Sequence, residues 1–212
     1  MDNRYWLERW EKGQIGFHQA EIEPALIKQF STLKPTKVFV PFCGKSKDLI
    51  WLASQGHHVL GVEISELACR AFFDENKLAY QAVRKRKFTI FSAQNIEIYC
   101  GDFFDLNSED MNGLGAVYDR AALIALPSDI RARYAEHMRK LLVGKRPLLF
   151  LQICLERTPD DNWGPPFSVS EKELNRLYGE SFEIDLINRE SVEQGGPDLT
   201  QADECIYFLV AE

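Results

Sequence analysis

The chain has 212 residues, 45% of them apolar and 27% charged, with a formal net charge of −7. This is the composition of an ordinary globular protein, long enough for one domain with a substantial core. The acidic balance argues against a general nucleic-acid binder, which carries a basic face. Five scattered cysteines without a C-x-x-C pair give neither a zinc site nor a disulfide framework, so the expected setting is reducing and cytoplasmic. No early apolar run resembles a signal peptide, and no stretch approaches a membrane span.

Residues 5–18 are aromatic-rich and amphipathic, and Trp6 and Trp10, four apart, share one face of a helix. A second helix is expected over 22–30 and a first strand over 36–41. The strand breaks at Pro41-Phe42-Cys43-Gly44-Lys45-Ser46, a turn with one glycine, and Ser46 is expected to cap a helix reaching Gln55. A second apolar strand, 58–62, ends on Glu63, and Ser65 is the predicted N-cap of a helix through Asn76. The basic run Arg84-Lys85-Arg86-Lys87 reads as a solvated loop. Segments 88–91 and 96–100 form a strand pair or hairpin around Ser92-Ala93-Gln94-Asn95.

A short strand at 116–118 ends at Asp119, and Ser128 is expected to cap a helix to Leu142, with Gly144 as terminator. Strand 147–154 opens on Pro147, a position that can spare its N–H. Ser170-Glu171-Lys172-Glu173 is a capping box for a helix to Tyr178. Segments 182–189 and 205–210 alternate as strands, with a turn at Gln194-Gly195-Gly196-Pro197 between them. Alternating strands and helices imply a mostly parallel sheet covered on both faces. The late strand pair, joined without a helix, implies an antiparallel addition at one edge.

The stretch 38–63 is a strand–loop–helix–strand unit ending in an acid about 20 residues beyond its glycine, an arrangement that holds a nucleoside at the carboxyl ends of its strands. The loop lacks G-x-G-x-x-G. The residue five before Gly44 is Phe39, so Gly44-Lys45-Ser46 is not a phosphate-binding loop. The expected ligand is therefore a nucleoside without phosphates, with S-adenosylmethionine the candidate, and Glu63 takes its ribose hydroxyls. The bland alternative for Glu63 is a solvated strand-end acid or a helix cap.

Asp102 and Phe103 follow strand 96–100 and suit an adenine amino group and ring, against a turn Asp and a core Phe. Asp119-Arg120 ends the next strand, where the guanidinium can fork onto a carboxylate or an anionic substrate; an internal ion pair is the alternative. Trp6, Trp10 and Phe17 read first as core aromatics, with a lid facing a sulfonium by cation–π attraction as the sharper alternative. His18 reads as structural, and His57 and His58 as surface or turn residues. In Gly164-Pro165-Pro166-Phe167 two prolines stiffen a loop whose Phe167 can wall a pocket.

Taken together these motifs resemble the bacterial thiopurine S-methyltransferase family. The matching segments are Trp6-x-x-x-Trp10 with Gly16-Phe17-His18, Val40 through Ser46 with Asp48 and Trp51-Leu52-Ala53, and Gly56-His57 with Gly61-Val62-Glu63-Ile64-Ser65. Further on they are Cys100-Gly101-Asp102-Phe103-Phe104, Tyr118 through Pro127, and Gly164-Pro165-Pro166-Phe167, all in order over most of the chain.

The resemblance implies a class I S-adenosylmethionine-dependent methyltransferase fold: α/β, a mostly parallel seven-stranded sheet with an antiparallel edge strand, and helices on both faces. It implies a single domain over 1–212, with 1–30 a helical lid and 36–212 the sheet core. It implies that Trp6, Trp10, Phe42, Glu63, Asp102, Phe103 and Arg120 surround the cofactor and that Phe17 borders the acceptor, while the stiff loop adds Pro166 and Phe167 as acceptor candidates. Phe42 stands where the family usually has Leu, and 186–202 gives no match to a substrate-contacting Arg. The implied reaction moves the methyl of S-adenosylmethionine to the thiol of a thiopurine or related heterocycle, leaving S-adenosylhomocysteine. It needs no metal and no obligatory base, by a monomer without nucleic-acid or membrane partners. Rival readings are methylation of selenium or tellurium compounds, a non-catalytic nucleoside-binding module, and an NAD-dependent dehydrogenase, which the one-glycine loop disfavours.

Overall fold

The computed structural model describes residues 3–145, 148–157, 163–193 and 201–211. Pro147 and the expected turn at 194–197 lie outside them. The chain divides into two compact units, Met1–Leu114 and Gly115–Glu212.

In the first unit the elements are α1 (Asn3–Glu11), α2 (Pro24–Phe30), β1 (Lys37–Pro41), α3 (Asp48–Ser54), β2 (His58–Glu63), α4 (Glu66–Glu75), β3 (Gln81–Lys85), β4 (Phe88–Ala93) and β5 (Ile96–Cys100). The strands lie in the order β3-β4-β5-β2-β1. β1, β2 and β5 run parallel, with Val38 opposite Val59 and Glu63 opposite Cys100. Parallel strands covered on both faces need continuous apolar runs, and Val38, Phe39, Val59 and Leu60 are fully buried. Burying one such side chain contributes about 1.5–3 kcal/mol.

Ser65 caps α4 as expected, its hydroxyl accepting the N–H of Ala68 at 3.2 Å, and the helix buries Ala68, Cys69, Phe72 and Phe73. Ser46 acts one residue away from the expected position. Lys47 is the N-cap of α3, without a side-chain bond, while Ser46 Oγ accepts the N–H of Asp48 at 3.2 Å. α1 stops at Glu11, and Gly13 follows at φ +65°, a conformation glycine adopts freely.

Two further expectations fail in this unit. The basic run is not a loop: Arg84 and Lys85 end β3, and Arg86, at φ +54°, turns the chain into β4. All five β3 residues are exposed, so the strand has no buried face and no apolar alternation to betray it. His57 is fully buried rather than superficial. Its Nδ1 accepts the N–H of Thr36 at 3.2 Å, its ring meets Phe30 edge-on, and burial lowers its pKa.

The second unit contains β6 (Leu114–Asp119), α5 (Ser128–Leu142), β7 (Leu148–Arg157), α6 (Glu171–Tyr178), β8 (Glu183–Glu193) and β9 (Gln201–Ala211), in the strand order β6-β7-β9-β8. β6 and β7 are parallel, while β9 is antiparallel to both β7 and β8, as the late strand pair predicts. A register shift between Leu186 and Asn188 marks a bulge in β8. Ser128 is the first residue of α5 and not its cap; Pro127 holds the cap position without a side-chain bond.

The capping box at Ser170 is half-built. Ser170 Oγ accepts the N–H of Glu173 at 3.2 Å, but the Glu173 carboxylate turns to the buried Arg131 instead of back to the cap. Among the described residues the strands number nine, against the seven that the resemblance implies; the one with no counterpart among the expected segments is β3, which pairs with β4 as a hairpin. No described helix is long and apolar enough to cross a membrane.

Candidate cofactor site

The loop after β1 is built to meet the end of β2. Cys43 N–H donates to Val62 carbonyl oxygen at 3.0 Å, which extends the parallel ladder one residue into the loop. Phe42 at φ +47° and Gly44 at φ +51° then turn the backbone sharply. The turn passes so close to β2 that a Cβ on Gly61 would lie 2.7 Å from Cys43 Sγ.

Gly44 N–H donates to Glu63 Oε2 at 2.9 Å, and Ser65 N–H to Oε1 at 2.8 Å. Glu63 is 5% exposed, and burial pushes its carboxyl up to about 7 against the pull of the Ser65, Gly44 and Ile64 N–H groups. Each oxygen of an ionised carboxylate has a second lone pair, so the group can still accept two hydroxyls. The loop's Lys45 is held 2.6 Å from Glu75, a charge arrangement that suits a ligand without phosphates.

α1 touches this loop at one end and the segment after β5 at the other. The indole of Trp10, 5% exposed, packs on Gly44; a Cβ there would be 3.2 Å from its Cζ2. At the other end, Asn3 Nδ2 donates to Asp102 Oδ2 at 2.6 Å. Asp102 Oδ1 accepts the N–H of Phe104 at 2.9 Å, capping a short 3-10 turn over Phe103–Asp105. Phe17, 42% exposed, meets Trp6 and Trp10 edge-on at 5.4 and 5.6 Å. Phe103, 3% exposed, stacks on Phe39 and meets Phe42 edge-on at 5.7 Å.

Seven of the residues singled out from sequence thus come together in the first unit: Trp6, Trp10, Phe17, Phe42, Glu63, Asp102 and Phe103. Asn3 was missed, and a single polar residue near the start of a chain carries no signal that would have found it. The donor set fits S-adenosylmethionine. A buried acid and a loop amide stand at the end of β2, a second acid stands at the end of β5, and the aromatic rings beside them suit a sulfonium and an adenine.

The remaining three candidates lie in the second unit. Arg120 is half-buried and follows β6 directly. Pro166 and Phe167 belong to a loop held by main-chain contacts: Phe167 N–H donates to Ile124 carbonyl oxygen at 2.6 Å, and Arg157 Nη1 to Pro166 oxygen at 3.1 Å. Arg157 also lies over the Trp163 ring at 5.3 Å. Gly164 is required here, since a Cβ would stand 2.5 Å from the Phe167 ring.

The family model for thiopurine S-methyltransferase matches residues 1–206. The chain is 42% identical to the thiopurine S-methyltransferase of Pseudomonas fluorescens strain SBW25, over 99% of each. It is also 42% identical to a probable thiopurine S-methyltransferase of Yarrowia lipolytica, over 88% of this chain and 89% of that one. Among solved structures, a methyltransferase from Anabaena variabilis described as SAM-dependent superposes with a TM-score of 0.66 at 14% identity, covering 98% of this chain and 94% of its own. The 1,6-didemethyltoxoflavin-N1-methyltransferase of Burkholderia thailandensis, solved with S-adenosylhomocysteine, gives 0.65 at 15% identity, covering 99% and 87%. At those identities the structural likeness establishes the fold, that of S-adenosylmethionine-dependent methyltransferases, and the sequence match establishes the rest: the chain belongs to the thiopurine S-methyltransferase family.

Proposed function

We propose that the protein is an S-adenosylmethionine-dependent methyltransferase acting on the thiol of thiopurines or related heterocyclic thiols, and that the chain works as one domain with residues 1–30 as its lid. The observation that carries this reading is Glu63. A buried carboxyl at the end of β2, hydrogen-bonded to the amide of a glycine on which Trp10 packs, is costly to keep unless a ligand repays it.

When bound, the cofactor supplies a methyl group already activated on a sulfonium. The chain's part is binding and alignment. Glu63 would accept the ribose hydroxyls and Asp102 the adenine amino group. Phe42 and Phe103 would border the ring, and Trp6 and Trp10 would close over the site and exclude water. Arg120 would border the cofactor from the turn after β6, and Phe17, Pro166 and Phe167 would line the acceptor. Holding two reactants in an attack geometry supplies up to about 7–11 kcal/mol, enough to dispense with a base when the thiol arrives ionised.

The residue assignment is tested by calorimetric titration. Wild type should bind S-adenosylmethionine but not NAD, and Glu63→Ala should bind at least about tenfold more weakly, the factor of one charge-assisted hydrogen bond. Equal binding by the variant would remove Glu63 from the site. Side-by-side rates with thiopurines, small thiols, selenite and tellurite would separate the thiol reading from a metalloid one. A cytoplasmic setting is the one that five free cysteines favour, and a monomer is the state this reading assigns.

A further inference from the structure

Arg120 sits on a turn whose backbone is fixed from one side by a single buried acid. Asp119, the last residue of β6, is fully buried. Its Oδ1 accepts the N–H of Ala122 at 3.0 Å and of Leu123 at 3.3 Å, so the carboxylate closes the turn that contains Arg120 and Ala121. Its Oδ2 accepts the hydroxyl of Tyr134, from α5, at 2.7 Å. Its main-chain oxygen accepts Gln152 Nε2, from β7, at 3.2 Å.

Three elements therefore converge on one residue, and both ends of its side chain are committed. Tyr134 is itself fully buried, so neither partner of the pair can turn to water. Burial pushes the Asp119 carboxyl up to about 6, opposed by its four donors. An acid held in that position costs stability that an apolar residue would not. What the acid provides and an apolar residue would not is a rigid turn directly beneath Arg120.

We propose that Asp119, braced by Tyr134, is a positioning residue: it fixes the backbone of the 119–123 turn from which Arg120 acts. The inference rests on the assignment of Arg120 to the cofactor made above. It extends that assignment to two buried residues that touch neither cofactor nor acceptor.

The test is a double-mutant cycle read by calorimetric affinity for S-adenosylmethionine. Tyr134→Phe keeps the ring and removes one hydroxyl. It should weaken binding roughly three- to tenfold, the factor of one hydrogen bond, and raise KM for the cofactor with kcat at saturation little changed. In an Arg120→Ala background the same substitution should cost nothing further, because the group it positions is gone. Asp119→Asn, which keeps an acceptor for the two amides, should show the same non-additivity. Wild-type affinity in Tyr134→Phe, or additive losses in the cycle, would overturn the positioning role while leaving Arg120 in place. Wild-type affinity in Arg120→Ala would instead remove Arg120 from the site, and the positioning role with it.

Discussion

Replacing Glu63 by Gln should remove one share of the protein's pH-dependent stability over the neutral range, the share that Glu63 itself contributes. The Glu63 carboxyl titrates at about 7 in the folded chain against an ordinary value of 4.5, because burial penalises its charged form. A group whose folded pKa is raised contributes stability that is fully present below its unfolded value and is lost as pH rises through its folded value. Between pH 5 and pH 8 that loss comes to about 2.5 kcal/mol for these two values. Gln cannot ionise, so the variant escapes the loss. It carries instead a roughly constant cost of about 1 kcal/mol, since its amide can accept from only one of the two N–H groups, Gly44 or Ser65.

The assay is denaturant unfolding of both ligand-free proteins at pH 5 and pH 8. Other titrating groups, Asp119 among them, are common to both and cancel. Wild type should lose about 2.5 kcal/mol more than the variant over that interval. An identical pH dependence in the two proteins would refute the claim that Glu63 is held at a cost, and with it the argument that a ligand repays it.

Other substitutions probe the same architecture. Gly44→Ala places a side chain at φ +51° and drives its Cβ to 3.2 Å from Trp10, so it should cost about 1–2 kcal/mol in urea unfolding and weaken cofactor binding together. Arg131 is 2% exposed, donates to the carbonyls of Leu126 and Ser168, and pairs with Glu173. Arg131→Ala, which strands those acceptors, should cost about 3–5 kcal/mol in denaturant midpoint analysis. Asn3→Ala removes an exposed hydrogen bond to Asp102, so global stability should stay within about 0.5 kcal/mol while amide exchange in α1 quickens.

The first unit's candidate site was legible in the sequence because its parts obey local rules. Continuous apolar runs announce β1 and β2, a single glycine marks the turn, and Ser65 caps the helix that follows Glu63. Position at strand ends singles out Glu63 and Asp102 in this unit, and Arg120 in the second. What stayed hidden depends on long-range contact. β3 has no buried face, so nothing in its residues distinguishes it from a loop; its pairing with β4 rests on the backbone ladder and one exposed side-chain contact, Arg84 to Thr89.

His57 looked superficial because a polar residue before a strand usually is, yet tertiary packing against Phe30 buries it. Glu173 completes the capping-box pattern but serves Arg131, 42 residues away, since a buried guanidinium needs a carboxylate more than a cap needs its second bond. The Asp119–Tyr134 pair and the Asn3–Asp102 contact, separated by 15 and 99 residues, leave no periodicity to read.

The account turns on transfer of a methyl group to sulfur, and incubation of the protein with methyl-labelled S-adenosylmethionine and a thiopurine tests that directly. Mass spectrometry should find the label on the thiopurine sulfur, with one S-adenosylhomocysteine formed per methyl moved and the yield collapsing in Glu63→Ala. Tight cofactor binding with no label on any thiol would contradict it.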